Sequence, residues 1–453
     1  MVIVLSAPVG MVAQPLNAVG GMPEDLLPEL RAILRDSLQR SPQMISNDVT
    51  LAQAEAMRIR TDAALYPNVN ASISYGVSTA ASASAGVTTP SSSTGLSYTV
   101  SLGQPIFHWG ALKAGVDIGR ISLKIAERNY AEAYRMLAGT IRSQYLSLIA
   151  KKAAVRYAQQ ALTQAEGLLL IEEEKFKNGT ISAGELSVPQ LSVADARLNG
   201  ERLTLDFESS KKLFARLAGL ERFDSASIPN DLPRPVHSPQ IASELVRIFL
   251  KDGAGNTNQG QVYLMNVKQA DLNYRIARTG LYPKFSLAAS TSLSISTQAS
   301  PGGAVTQTNV RSNYYGLNTS WTLFDGLATR GAKLYSLAGR RAAERTLQAY
   351  AETTVENLQV VHQQLQFSAR ALDIAEQRHA LAAGASSVVA EDFRRGLTSR
   401  TAADAAATGM LGADIARIYA RSDYLTRWSD FVSQTGADPV MTNLPARYVR
   451  SIK

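Results

Sequence analysis

A mainly α-helical chain with a small transmembrane β component, written twice in tandem, is the fold class this sequence predicts. Three observations carry that reading. Landmarks return 216 or 217 residues later, four alternating segments are almost free of charge, and two long proline-free stretches hold a seven-residue apolar seam.

Internal self-similarity outweighs any single motif in assigning a fold. "ALYPNVNASISYG" at 64–76 returns as "GLYPKFSLAASTS" at 280–292, and Tyr66 to Tyr282 is an offset of 216. Phe107 matches Phe324, Phe176 matches Phe393, Gly179 matches Gly396 and Gly219 matches Gly436, each at 217. The expected layout follows. Residues 1–28 form a signal-like or disordered N-terminus, with a short apolar core but no basic start. Residues 29–220 are the first repeat, 221–240 a proline-rich connector, 241–437 the second repeat and 438–453 a C-terminal tail. Pro229, Pro233, Pro235 and Pro239 make the connector extended. "KDGAGNTNQGQ" (251–261) has no counterpart in the first half and reads as a loop insertion.

Each half reads as helix, strand, loop, strand, very long helix, tight turn, long helix. The strands are expected at about 68–78, 95–105, 284–296 and 312–324. Val69, Ala71, Ile73, Tyr75 and Val77 alternate with Asn68, Asn70, Ser72, Ser74 and Ser78, a two-residue period that only an extended strand can use. Leu96, Tyr98, Val100 and Leu102 repeat the pattern, as do Leu287, Leu293 and Ile295, and then Tyr315, Leu317, Trp321 and Leu323. Between Pro67 and Phe107 there is no Asp, Glu, Lys or Arg. Strands of about 9–11 residues with an apolar outside, a Ser/Asn inside and aromatic ends mark an outer-membrane barrel. Tyr75, Tyr98, Tyr315 and Trp321 are the candidate membrane-interface aromatics. A soluble sandwich or a fibrous β-domain is the plainer alternative, but the wet face of a soluble strand ordinarily carries Lys, Glu or Thr. Four strands cannot close a barrel, and lipid forbids an open edge. Several copies must therefore pool strands, eight from two or twelve from three.

The long helices are expected from about Ala111 to Asn178 and from Ala328 to Arg395. At 1.5 Å per residue each is about 100 Å long, too tall for one membrane. Ile141, Leu148, Val155, Leu162, Leu169 and Phe176 recur every seven residues, with Leu358, Leu365, Leu372, His379 and Phe393 in the second copy. Such a seam means coiled-coil packing and makes His379 a packing residue. Each helix ends at a tip. In "FKNGTISAGE", Gly179 supplies a left-handed stop and Ser182 with Glu185 a capping box. In "FRRGLTSRTAAD", Gly396 stops the helix and Thr401 with Asp404 restarts it.

Composition narrows the function classes. Charge is low (19%), the net charge is +8 and there is no cysteine, which excludes disulfides, thiolate metal sites and cysteine nucleophiles. The four histidines lack metal-ligand spacing, and no run approaches the ~18 apolar residues of a spanning helix. No basic block interleaved with aromatics points to nucleic acid. No catalytic residue, metal site or cofactor site can be placed, so an enzyme is not expected.

Both "LYP" strand starts, both junctions at Phe107 and Phe324, and both Phe-x-x-Gly tips together resemble the TolC-like outer-membrane efflux proteins, across roughly residues 30–437. The resemblance implies a homotrimer in the outer membrane, with a twelve-stranded barrel continued by an α-helical tunnel through the periplasm. It implies an equatorial region, built here from residues 221–260 and the C-terminal tail. It implies conduction for an efflux pump or a type I secretion system. Its partners are then outer-membrane lipid, a periplasmic adaptor (membrane fusion protein) and an inner-membrane pump of RND or ABC type, with no nucleic acid. The tips carrying Phe176, Gly179, Phe393 and Gly396 would contact the adaptor. Members often place an acid six residues past the tip glycine. Glu185 fits, whereas the second tip has Ala402 there and Asp404 as nearest substitute. The aperture is therefore assigned to Glu185, Arg400 and Asp404, with Arg394 and Arg395 as stand-ins for Arg400. The plainer reading is solvated helix charges worth under about 1 kcal/mol each. A passive porin would leave the helical hairpins unexplained, and a soluble coiled-coil scaffold would leave the strands unexplained.

Overall fold

The computed structural model describes residues 21–84, 87–299 and 305–444. Its elements run α1 (Pro23–Leu26), α2 (Pro28–Arg40), α3 (Pro42–Asp62), β1 (Asn68–Ser84), β2 (Val87–Phe107), α4 (Ala111–Lys177) and α5 (Ala183–Ala218). The second half continues with α6 (Pro239–Asp252), α7 (Asn258–Arg278), β3 (Lys284–Ala299), β4 (Val305–Ser320), α8 (Ala328–Arg394) and α9 (Arg400–Gln434). The signal-like reading holds at most for residues 1–20, which lie outside the described residues. It does not extend to residue 28, because Met22 and Leu27 are buried and α1 is helical. Residues 445–453 of the tail also lie outside the described residues.

The chain forms two compact units, each drawing on both repeats. One comprises residues 50–127 and 261–348 and holds the sheet. The strands pair in the order β1-β2-β3-β4, antiparallel throughout, so the repeats meet at β2 and β3. β1 and β4 each leave one edge without a partner among the described residues.

The strands are longer than expected. The Ser/Thr/Ala segments read as flexible connections stay paired, with Ser84 opposite Val87 and Ala299 opposite Val305. Uncharged small residues in unbroken register have nothing to gain by leaving the ladder, whose backbone groups they satisfy. At its other end β4 stops at Ser320, not 324, because its last partner is Lys284 and Pro283 has no N–H to extend the ladder. Trp321 therefore follows the strand. Pro105 sits where the β2–β3 register shifts, the bulge position that tolerates proline. Below the sheet, α3 and α4 cross closely at Gly119, where an added Cβ would lie 1.9 Å from Thr61 Oγ1. Gln269 of α7 donates to Ser122 Oγ of α4 at 2.7 Å.

The other unit comprises residues 1–49, 128–260 and 349–453. Its core follows the seven-residue seam. Ile141, Leu148, Leu358, Leu365 and Leu372 are fully buried, with Tyr145, Phe214, Tyr424, Trp428 and Phe431 packed among them. Burial fades along α4, so that Val155, Leu162 and Leu169 are half-buried and Phe176 is exposed. His379 lies in the α8–α9 seam, with Nε2 3.4 Å from Asp414. The connector runs along the helices, held by cations that donate to its carbonyls. Lys152 reaches Ser225 O at 2.9 Å, Arg156 reaches Asn230 O at 3.2 Å, and Arg421 reaches Leu232 O. The 251–261 segment is no floppy insertion. Gly253 ends α6, a short 3-10 turn follows at Ala254–Asn256, and α7 already starts at Asn258.

Candidate conduit wall and helical tips

The register joins the two faces of the sheet across β1, β2, β3 and the lower part of β4. Higher on β4 the alternation breaks, with Arg311 opposite Leu293, Asn309 opposite Ile295, Tyr314 opposite Ser290 and Val310 opposite Ser294. Cross-strand pairs run Val69–Leu102–Ala289–Tyr315, Ile73–Tyr98–Leu293 and Tyr75–Leu96–Ile295 on one face. Leu287 opposite Leu317 continues this apolar band downward. From Leu287 to Ile295 it climbs about 27 Å along the strand, close to the ~25 Å apolar belt of a membrane barrel. The opposite face runs Asn70–Ser101–Ser290, Ser72–Thr99–Ser292–Ser312 and Ser74–Ser97–Ser294. Ser74 and Ser97 hydroxyls bond each other at 2.7 Å, which satisfies small polar groups in place. Apart from Arg311 and Asn309 on β4, the wall has one greasy and one uncharged wet side, and such a wall can face lipid and water at once.

Of the four expected interface aromatics, Tyr75, Tyr98 and Tyr315 lie in the apolar face, and Tyr75 and Tyr315 are more than 70% exposed. Trp321 lies at the foot of the sheet, where its indole donates to Leu281 O at 3.1 Å. A second anchor was not singled out from the sequence. Trp109 donates to Pro283 O at 2.7 Å and packs edge-on to Phe107 and Tyr282, at 4.9 and 5.1 Å between ring centroids. Both tryptophans thus grip the second "LYP" turn. Indoles with a satisfied N–H and an exposed ring suit the headgroup level of a membrane.

The strand-to-helix junctions share an unusual backbone. Trp109 and Gly110 have φ of 53° and 81°, and Gly326 and Leu327, 217 residues later, have 64° and 71°. At the second junction Asp325 accepts from the Thr329 backbone at 2.8 Å, and this cap with the Thr329 hydroxyl holds its carboxyl below the ordinary value.

At the tips, Gly179 (φ 71°) and Gly396 (φ 75°) close the same motif. Gly179 N donates to Phe176 O and Thr180 N to Lys175 O, both at 2.9 Å, while Gly396 N reaches Phe393 O and Leu397 N reaches Asp392 O. This double closure satisfies the orphan carbonyls and requires the left-handed residue that glycine supplies. Ser182 accepts from Glu185 N at 3.3 Å and donates its own N–H to the Glu185 carboxylate at 2.7 Å, completing the expected capping box. The second restart differs from expectation. Ser399, not Thr401, caps α9, accepting from Ala402 N at 3.2 Å, and no acid follows at the third position.

The three aperture candidates are held locally and are not paired between the two tips within one copy. Glu185 closes on Ser182, and Arg400 lies 3.7 Å from Asp404 one turn on. Arg394 and Arg395 both reach Glu391, at 2.7 and 2.9 Å. Farther back, Thr408 of α9 donates to Gln164 of α4 at 2.6 Å and ties the hairpins together. Among the described residues no cluster of His, Asp or Glu could hold a metal, and no helix is long and apolar enough to cross a membrane.

Comparison with known proteins agrees with this geometry. The family model described as outer membrane efflux protein matches residues 33–219 and 261–437. The pyoverdine export outer membrane protein OpmQ of Pseudomonas aeruginosa is 26% identical over 382 residues, covering 78% of this chain and 76% of that protein. The Campylobacter jejuni CmeC outer membrane channel superposes with a TM-score of 0.72 at 15% identity, over 100% of this chain and 98% of that one. The outer membrane protein VceC of Vibrio cholerae gives 0.66 at 16% identity, over 91% and 97%. OpmQ is named an export protein and CmeC a channel.

Proposed function

The chain belongs to the outer membrane efflux protein family, and from that membership we propose that three copies close one twelve-stranded barrel whose bore continues through their helices. The protein has the fold of the outer-membrane channel-tunnels, is placed in the outer membrane and serves efflux by conduction. Efflux channels act with pump components. For this chain we assign a periplasmic adaptor at the tips around Phe176 and Phe393 and an inner-membrane pump behind it, of RND or ABC type. The single observation that supports the barrel is the apolar band held in register over β1, β2, β3 and the lower part of β4, in a sheet with both edges open among the described residues. Such a sheet cannot remain open in lipid, where each unpaired backbone group costs several kcal/mol.

Support for assembly also comes from the helices. Val360, Phe367, Ile374, Leu381 and Val388 of α8 recur every seven residues and are all exposed in one copy. On α5, Leu191, Leu198 and Leu205 do the same. These are second seams, turned away from the one buried within the chain, and each suits a neighbouring copy. OpmQ is named for pyoverdine export, and export of a comparable secreted small molecule is the cargo reading adopted here. Glu185, Arg400 and Asp404 are assigned to the aperture, Glu185 and Arg400 joining neighbouring hairpins across copies.

The test is direct. Full-length protein extracted from outer membranes should run as a heat-sensitive trimer and insert into planar bilayers as a small conductance. Arg400→Ser should raise that closed-level conductance severalfold. A monomer that stays soluble without detergent would refute the assignment.

A further inference from the structure

Formal charge divides unequally between the two compact units. The sheet-bearing unit has fifteen Lys and Arg against seven Asp and Glu, and the remainder of the chain has equal numbers, so the whole net charge of +8 belongs to that unit. Its strands carry only Lys284 and Arg311, so the surplus lies on the helices that meet the sheet.

Five of the unit's seven acids are already committed, among them Asp117, which holds Arg120 at 3.8 Å. Asp62 holds Arg58 at 3.1 Å and Arg120 at 3.6 Å, and Asp271 holds Arg275 at 2.9 Å and Arg340 at 3.2 Å. Glu344 holds Arg340 at 3.0 Å, and Asp325 caps α8. Four of the remaining cations, Arg330, Lys333, Arg341 and Arg345, lie exposed along the first turns of α8. None of the four has a carboxylate within ion-pair distance among the described residues. At 3.6 residues per turn they share one side of the helix. Another face of α8, with Ala332, Tyr335, Ser336 and Gly339, lines a groove against α7.

We propose that this basic stripe makes the conduit anion-selective, and that small anionic solutes are the cargo class it passes most readily. The proposal rests on the channel reading above and adds a substrate class to it. In a trimer the stripe occurs three times around one narrow water-filled bore. Like charge around a low-dielectric cleft focuses the field and raises the local counter-ion concentration, by tenfold or more in strong cases. The uncharged Ser/Asn face of the strands offers nothing to oppose it. The other use of such a stripe, contact with anionic lipid headgroups from outside the bore, would leave ion selectivity untouched.

The experiment uses full-length protein in planar bilayers of uncharged lipid, with reversal potentials read in a KCl gradient. At low salt the wild type should prefer chloride to potassium by on the order of severalfold, and the preference should fall towards unity at 1 M, where the screening length is only about 3 Å. The combined variant Arg330→Gln, Lys333→Gln, Arg341→Gln and Arg345→Gln should lower the ratio at least about twofold by removing the focused charge. Replacing the three arginines by lysine should preserve it. A conducting wild type that prefers potassium, or a Gln variant with the wild-type ratio, overturns the inference and leaves the channel intact. If the Gln variant does not insert, the wild type's salt dependence decides alone. A wild type with no conductance overturns the channel reading itself, a separate result.

Discussion

Single glycines show how much local geometry a few residues control. Gly179, Gly219, Gly396 and Gly436 all have φ between 68° and 77° and all close a helix with the same pair of backbone bonds. Their surroundings differ. A Cβ at Gly179 meets nothing within 4 Å, whereas at Gly219 it would lie 2.6 Å from Arg40 O. Gly179→Ala should therefore cost only the left-handed strain, about 1 kcal/mol, and Gly219→Ala about 3 kcal/mol once the clash with rigid backbone is added. Thermal melts of the two variants in detergent check the order. Arg142 is the other decisive residue. Fully buried on α4, it donates to Glu24 at 2.9 Å and to both oxygens of Asp438 at 2.7 and 2.9 Å. Burial opposes its charge, but the Asp438 and Glu24 carboxylates outweigh that and push its pKa further up. Arg142→Met leaves two buried carboxylates uncompensated and should cost about 3–5 kcal/mol, read from the same melts.

Elements fail or hold through their ends. α5 and α9 are repeat-related, yet only α5 starts with a carboxylate in its cap. The Ser182 backbone N–H, and then its hydroxyl, hold the Glu185 carboxyl below the ordinary 4.5. A depressed carboxylate stabilises the folded state above its unfolded value and loses that contribution as pH falls through the folded one. Amide protection over the first turn of α5, taken relative to the intrinsic exchange rate at each pH, should therefore fall below pH 4.5, while that of the first turn of α9, capped by the neutral Ser399, should not respond. Ser399→Ala should fray α9 by about 1 kcal/mol and Thr401→Ala by almost nothing. The capping box at 182–185 was legible because both partners lie in one short stretch. The second cap was misread at Thr401. Ser399 and Thr401 are equivalent as letters, and only the backbone path out of Gly396 decides which hydroxyl meets an unpaired N–H.

For the whole molecule, the outward seams predict assembly. Phe367→Asp or Leu381→Asp places a charge in the centre of a seam that is exposed in one copy, so the monomer fold should survive while the heat-sensitive trimer band disappears. Circular dichroism and gel mobility together separate those outcomes. Arg142 joins α1, α4 and the Asp438 turn, which are 118 and 296 residues apart in sequence. No pattern in the chain announces that contact, since Arg142 reads as one more helix charge and its duplicate position, Gln359, is uncharged.

By itself the sequence determined the duplication, the four strands, the length of the two great helices and the tips between them. Those features are periodic or local, and each repeats its own physical cause every two, seven or 217 residues. Only the tertiary structure decided where the strands end, which serine caps α9, that both tryptophans grip one turn, and that most acids beside the sheet are paired while four α8 cations are left over. Those outcomes depend on which distant groups meet, and a one-dimensional pattern does not hold the distances that set which polar group is satisfied.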